Sequence, residues 1–183
     1  MENLFQELET DRLILRKISL EDASDLYKNV FNNFSYYKYY YQLPFQDFFE
    51  YKELVSKYEE WYNNGNHFRL GIVLRESNEM IGTIQLHTKD MLNNNCKVGY
   101  IIGYNFQNKG YMKEALNCVI SFAFNTLKFH RIQTEIVVGN NNSIKLVENL
   151  GMEEEGIKKE SYLLQDTYYD QKIYRLINKN NEQ

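Results

Sequence analysis

Residues 99–124 read GYIIGYNFQNKGYMKEALNCVISFAF, and the pattern changes period in the middle. As far as Tyr104 the residues are aromatic and β-branched, which predicts a strand. From Gly110 the apolar residues Met112, Ala115, Leu116, Val119 and Ala123 recur on one helical face. Between them lies a polar loop with one glycine, Gln107-Asn108-Lys109-Gly110-Tyr111-Met112. Such a loop, opening a helix after a strand, is a ready anion site, because the first helical N–H groups lack internal partners and the dipole favours negative charge there. Gly110 lets the backbone approach a phosphate closely, and Lys109 adds positive charge. Gly110 equally suits a plain strand-to-helix turn, and residue chemistry alone does not separate the two. There is no GxxxxGK[ST] run and no GxGxxG after the first strand, which argues against a nucleotide P-loop and a dinucleotide site.

Working outward, LETDRLILRKI predicts a first strand, and SLEDASDLYKNVF a helix opened by Ser19 with Asp22 three residues on, as in a capping box. An aromatic segment broken by Pro44 leads into a helix from about Gln46 to Tyr62, ended by Asn63-Asn64-Gly65. HFRLGIVLRESNEMIGTIQLHT predicts two strands joined at Ser77-Asn78-Glu79. RIQTEIVV predicts a strand, NNNSIKLVENLG a short helix with Gly151 as its C′ residue, and SYLLQDTYYDQKIYRLI a closing hairpin. The expected order is β-α-α-β-β-β-α-β-α-β-β, an α/β (α+β) chain with a mixed sheet and helices on both faces.

At 183 residues, with 43% hydrophobic and 25% charged residues, the chain suits one globular domain over residues 1–183. A net charge of −4 argues against a nucleic-acid partner and is compatible with cationic acceptors. Cys96 and Cys118 have no metal-ligand or CxxC spacing and fit a reducing cytosol. No apolar run reaches membrane-spanning length and the acidic N-terminus does not look like a signal peptide, so a cytoplasmic protein without a membrane partner is expected.

The 107–112 hexapeptide, followed by Glu114-Ala115, resembles the Q/R-x-x-G-x-G/A signature of GNAT-type N-acetyltransferases. Three further segments, in order, agree with the RimJ/RimL branch of that family. They are the opening Leu8 to Arg16, the run from Asn140-x-x-Ser143 through Leu150-Gly151-Met152 to Glu155-Gly156, and the tail with Asp170 and Tyr174. The resemblance implies the GNAT fold: a mixed, mostly antiparallel sheet with a splayed parallel strand pair at the CoA slot. It implies acetyl-CoA as co-substrate, no metal, and acetyl transfer to a primary amine of a small molecule or a protein N-terminus, by a monomer or homodimer. The backbone of Gln107, Asn108, Lys109, Gly110, Tyr111 and Met112 would hold the pyrophosphate. The strand at Ile102 would pair with the pantetheine arm, with Asn140 contacting it, and the strand from Arg131 to Val138 would splay away.

Acyl transfer from a thioester to an amine needs a neutral amine, donors for the oxyanion and a proton for the departing thiolate. The resemblance to RimL-like enzymes, where the matching serine is implicated in handling the CoA thiol, makes Ser143 the catalytic candidate; serine is also a good cap or first-turn residue. A backbone N–H near Ile102 or Gly103 is the oxyanion candidate. The base is open: Lys97 stands where relatives often carry glutamate, leaving a water chain or another carboxylate such as Glu135. The lysine also motivates a non-catalytic acyl-CoA-binding module, a sensor or scaffold, as the alternative. Val147 stands where polyamine-acetylating relatives tend to have tyrosine. His67, His87 and His130 lack ligand spacing. The cluster Tyr36, Tyr37, Tyr39, Tyr40 and Tyr41 could face an ammonium group or simply pack.

Overall fold

The computed structural model of the chain describes residues 7–32, 39, 45, 47–63, 68–164 and 166–179, Glu59 by its backbone alone. Eight strands form one sheet. They are β1 (Leu8–Glu9), β2 (Leu13–Arg16), β3 (Phe68–Leu74), β4 (Met80–Asp90), β5 (Asn95–Ile102), β6 (Arg131–Val137), β7 (Glu153–Leu164) and β8 (Thr167–Ile177), in spatial order β1-β2-β3-β4-β5-β6-β8-β7. All neighbours pair antiparallel except β5 and β6. The helices are α1 (Ala23–Leu26), α2 (Phe48–Ser56), α3 (Tyr58–Asn63), α4 (Tyr111–Asn125) and α5 (Asn141–Glu148).

The expected first strand is two. Leu8–Glu9 folds back on Leu13–Arg16, turning through Thr10-Asp11-Arg12. The first helix is also composite: a 3-10 turn at Leu20–Asp22 runs into α1, which widens to a π-turn over Tyr27–Phe31. Its start follows from Asp22, whose carboxylate accepts from the Ser19 N–H (2.7 Å) and Oγ (2.9 Å) and from both ends of the Arg16 guanidinium. The helix expected over 46–62 breaks at Lys57 into α2, capped by Asp47, and α3. Gln46, Asn64 and Gly65 lie outside the described residues, as do His67 and all of the tyrosine cluster but Tyr39.

Among the described residues two large cores flank the sheet. On one face α4 lays Met112, Ala115, Leu116, Val119 and Ala123, all buried, against alternate residues of β2 to β6, and α5 adds Val147. On the other, α1 to α3 close an aromatic core around Phe31, Phe45 and Tyr51 against the β2–β4 end. Toward β6 to β8 a smaller cluster gathers Val137, Tyr162 and Leu164 with Tyr39 and Tyr169, beside the polar group of Lys97, Gln133, Glu135 and Lys158. The turn after α5 uses Gly151 as expected: at φ +79° it is left-handed, its N–H donates to Glu148 O (2.9 Å), and the Met152 N–H donates to Val147 O (3.0 Å).

Candidate active site

The parallel pair begins with Asn95↔Arg131, Cys96↔Ile132 and Lys97↔Gln133, and pairing then stops. Beyond Lys97 the two strands part, and a cavity of ≈ 250 Å³ occupies the gap. Val98, Gly99 and Tyr100 of β5 form one wall and Thr134 to Val137 of β6 the other. Asn140 and Ser143 of α5 look in from one side, Gln85, His87 and Tyr39 from the other.

The backbone of β5 faces this gap in a way that the register fixes. The Gly103 N–H donates to Ile81 O (2.8 Å), and Ile101 lies opposite Thr83. Bonded and non-bonded pairs alternate along an antiparallel ladder, so Tyr100 and Ile102 turn their N–H and C=O groups away from β4. These groups point to where β6 has already diverged. Of the two oxyanion candidates, the Gly103 N–H is engaged by Ile81 O, and the Ile102 N–H is the one turned away from β4, toward the side that β6 has left.

Ser143 Oγ lies 2.6 Å from the Tyr100 hydroxyl. Burial pushes the Tyr100 hydroxyl up to about 12, outweighing the hydrogen bond from Ser143, so it stays protonated at neutral pH. The helix cap is Asn140, whose Oδ1 accepts from the Ser143 N–H (3.3 Å); Ser143 sits in the first turn with its side chain on Tyr100. Tyr100 was missed as a site residue. In sequence it is one aromatic among many in a strand, 43 positions from its partner.

Glu135 is not an idle surface residue but the centre of a charged network. Its Oε1 accepts from Lys97 Nζ (2.5 Å), Lys158 Nζ (2.5 Å) and Gln133 Nε2 (3.1 Å). Burial works to raise its pKa, but the hydrogen bonds and charges of Lys158 and Lys97 hold it below the usual carboxylate value. A carboxylate so stabilised as an anion is a poor proton acceptor.

The loop at 107–112 ends on Gly110 at φ +82°, a left-handed conformation that favours glycine. α4 starts at the next residue, so the N–H groups of Tyr111, Met112 and Lys113 have no partner within the helix. The Gln107 N–H differs from expectation: it donates to Tyr104 O (3.2 Å), closing a 3-10 turn, and is not among the unpartnered donors at the start of α4. Asn108 is also left-handed at φ +59°. A Cβ on Gly110 would come 3.3 Å from Arg12 Nη2.

Arg12 braces the loop from the β1–β2 turn. Its Nη1 donates to Lys109 O (3.0 Å), its guanidinium pairs with Glu114 (2.6 Å) and lies 4.6 Å from the Tyr111 ring centre. Thr10 Oγ1 donates to the same carboxylate (2.5 Å). Against the upward pull of burial, these bonds hold Glu114 below its ordinary pKa.

The remaining candidates have these surroundings. Tyr174 is buried under α5 and donates to Glu148 (3.0 Å). Asp170 accepts from Lys159 and the Glu160 N–H at a bulge in β7. Burial pushes the Cys96 thiol up to about 12 and also raises Cys118, as expected of inert thiols. His130 is exposed, and His87 contacts Thr88 (3.0 Å). Among the described residues no helix is long and apolar enough to cross a membrane.

Residues 12–153 match the Acetyltransferase (GNAT) domain family. An uncharacterized N-acetyltransferase, p20, of Bacillus licheniformis is 31% identical over 160 residues, 87% of each chain. The spermidine N(1)-acetyltransferase of Vibrio cholerae is 26% identical, covering 88% of this chain and 90% of its own. The solved structure of RimL, a ribosomal L7/L12 alpha-N-protein acetyltransferase in complex with coenzyme A, superposes with a TM-score of 0.84 at 20% identity, over 94% of this chain and 98% of its own. With its parted β5–β6 pair, its glycine loop at the start of α4 and these similarities, the chain belongs to the GNAT family of acetyltransferases.

Proposed function

We propose that the chain, acting as one domain in the cytoplasm, transfers the acetyl group of acetyl-CoA directly to a primary amine. The observation that carries this reading is the cavity opened by the parting of β5 and β6, with the Ser143–Tyr100 hydroxyl pair on its wall.

The residues present fit acetyl-CoA. Its pyrophosphate is anionic, and the start of α4 offers unpartnered N–H groups, a glycine without a Cβ to obstruct approach, and Arg12 and Lys109 alongside. Its pantetheine arm carries amides, and the β5 edge at Tyr100 and Ile102 offers backbone groups for strand-like pairing. Bound there, acetyl-CoA supplies an activated acyl group.

This chain's own residues then do four things. The Ile102 N–H donates to a carbonyl oxygen lying in the gap and stabilises negative charge on it. Ser143 Oγ gives a proton to the departing sulfur and regains one through the Tyr100 hydroxyl. Asn140 fixes Ser143 by capping its helix. Lys97 and Lys158 stabilise the Glu135 anion and make it a weaker acceptor, and water takes the proton lost by the amine. The carbon–sulfur bond breaks as the carbon–nitrogen bond forms, and no enzyme nucleophile is required.

Acetyl-CoA-dependent thiol release by the purified protein tests the reading across N-terminal peptides, polyamines, aminoglycosides and amino acids. Release that depends on an acceptor amine is the expected result. Acetyl-CoA binding with no release on any acceptor would contradict it and favour a non-catalytic acyl-CoA module.

A further inference from the structure

The cavity differs in charge from the molecule that holds it. The whole chain carries −4, yet Glu135 is the sole carboxylate on the cavity wall among the described residues. That carboxylate is shared by two ammonium groups, Lys97 and Lys158. Of the two, Lys97 is on the wall and Lys158 reaches Glu135 from outside it, so the three groups together carry one excess positive charge beside the cavity, while Arg131 and Arg175 are matched by Glu155 and Glu153. His87, also on the wall, adds no negative charge in either protonation state.

From this arrangement we infer that the acceptor amine carries an anionic group, a carboxylate or phosphate, near its nitrogen, and that Lys97 recognises it. The inference rests on the amine-transfer reading above. Lys97 lines the cavity and is partly exposed, so its ammonium can turn to a ligand. Lys158 and Gln133 would still hold Glu135 when it does, and no buried charge is left unpaired. A second ammonium on the acceptor would meet only a carboxylate already satisfied, with two cations beside it. Positive surroundings also favour the neutral form of the reacting amine, the form that attacks.

Matched acceptors test this. Initial rates of thiol release are compared for β-alanine, β-alaninamide, 1,3-diaminopropane and O-phosphoethanolamine, and for an N-terminal Ser-Asp-Glu peptide against Ser-Asn-Gln. The arms separate carboxylate, phosphate and peptide sources of the same charge. The expected result is that anionic acceptors exceed their neutral counterparts by about tenfold in kcat/KM, with the diamine slowest. Lys97→Gln should erase that preference, and Lys97→Arg should keep it. A diamine or amide used as well as the acid overturns the inference while leaving acetyl transfer standing. If no amine is acetylated, the transfer reading fails, and the charge inference is read by calorimetry of O-phosphoethanolamine binding to the CoA-loaded protein. Binding about tenfold weaker in Lys97→Gln supports it, and equal binding or none in the wild type overturns it.

Discussion

At the scale of single residues, the account turns on the 2.6 Å contact between Ser143 and Tyr100. Ser143→Ala removes the proton donor and keeps the Asn140 cap, because the cap bond is made by the Ser143 backbone N–H. Its kcat should fall by about 10²-fold with little change in the KM for acetyl-CoA, as steady-state kinetics would show. Tyr100→Phe leaves Ser143 in place without its relay partner and should cost about tenfold in kcat. Equal kinetics for both variants and wild type would remove the pair from the mechanism. The Tyr100 hydroxyl, pushed up to about 12 by burial, introduces no alkaline limb to the rate profile at working pH. Ser143 was legible in the sequence because its segment resembles a family motif. Tyr100 was not, because what defines it is a contact across 43 positions of chain. The same holds for Glu135, whose lysines lie 38 and 23 residues away on other strands.

At the scale of elements, α4 and its loop were the most legible part of the molecule. Five apolar residues at helical spacing define a buried face, and a glycine that must be left-handed marks the start. The β1–β2 hairpin was hidden, since Thr10-Asp11-Arg12 carries neither glycine nor proline and the flanking apolar pattern runs on through it. The break at Lys57 and the π-turn at Tyr27–Phe31 were hidden for a similar reason: both sit in sequence with ordinary helical spacing. The hairpin has a role that the linear pattern does not show, because its turn ties Arg12 and Thr10 to Glu114 and Lys109 at the anion loop. Arg12→Ala should loosen the loop and remove a nearby cation. Affinity for acetyl-CoA should drop about tenfold by calorimetry, with kcat at saturating acetyl-CoA changed less than twofold or so. An unchanged affinity would mean that the brace serves stability alone.

At the scale of the whole molecule, the order of strand and helix patterns was legible and implied a mixed sheet with helices on both faces, whereas the parallel pair was expected only from the family resemblance. The two lysines gathered on Glu135 beside the cavity were not legible, since a net −4 describes the whole chain and not one site. Ion pairs also tie the fold to pH. Asp22, Glu114 and Glu135 all have folded pKa values below their ordinary ones, so the native state binds fewer protons than the unfolded chain. Their contribution is complete above the unfolded carboxylate values and is lost as pH falls through the lower folded ones. Melting temperature should be level from about pH 8 to 5.5 and decline below about 4.5. Glu114→Gln should decline less steeply, and a slope identical to wild type would show that its bonds to Thr10 and Arg12 contribute nothing to acid sensitivity.

The central claim is that the loop ending at Gly110 holds the anionic end of acetyl-CoA. Titration calorimetry of acetyl-CoA into wild-type protein and Gly110→Asp tests it most directly. Aspartate there brings a Cβ to a left-handed position and a negative charge to the start of α4. The account predicts one acetyl-CoA per chain for the wild type and binding weakened by at least about a hundredfold in a variant with an unchanged circular dichroism spectrum. Equal affinity in the two proteins would contradict it.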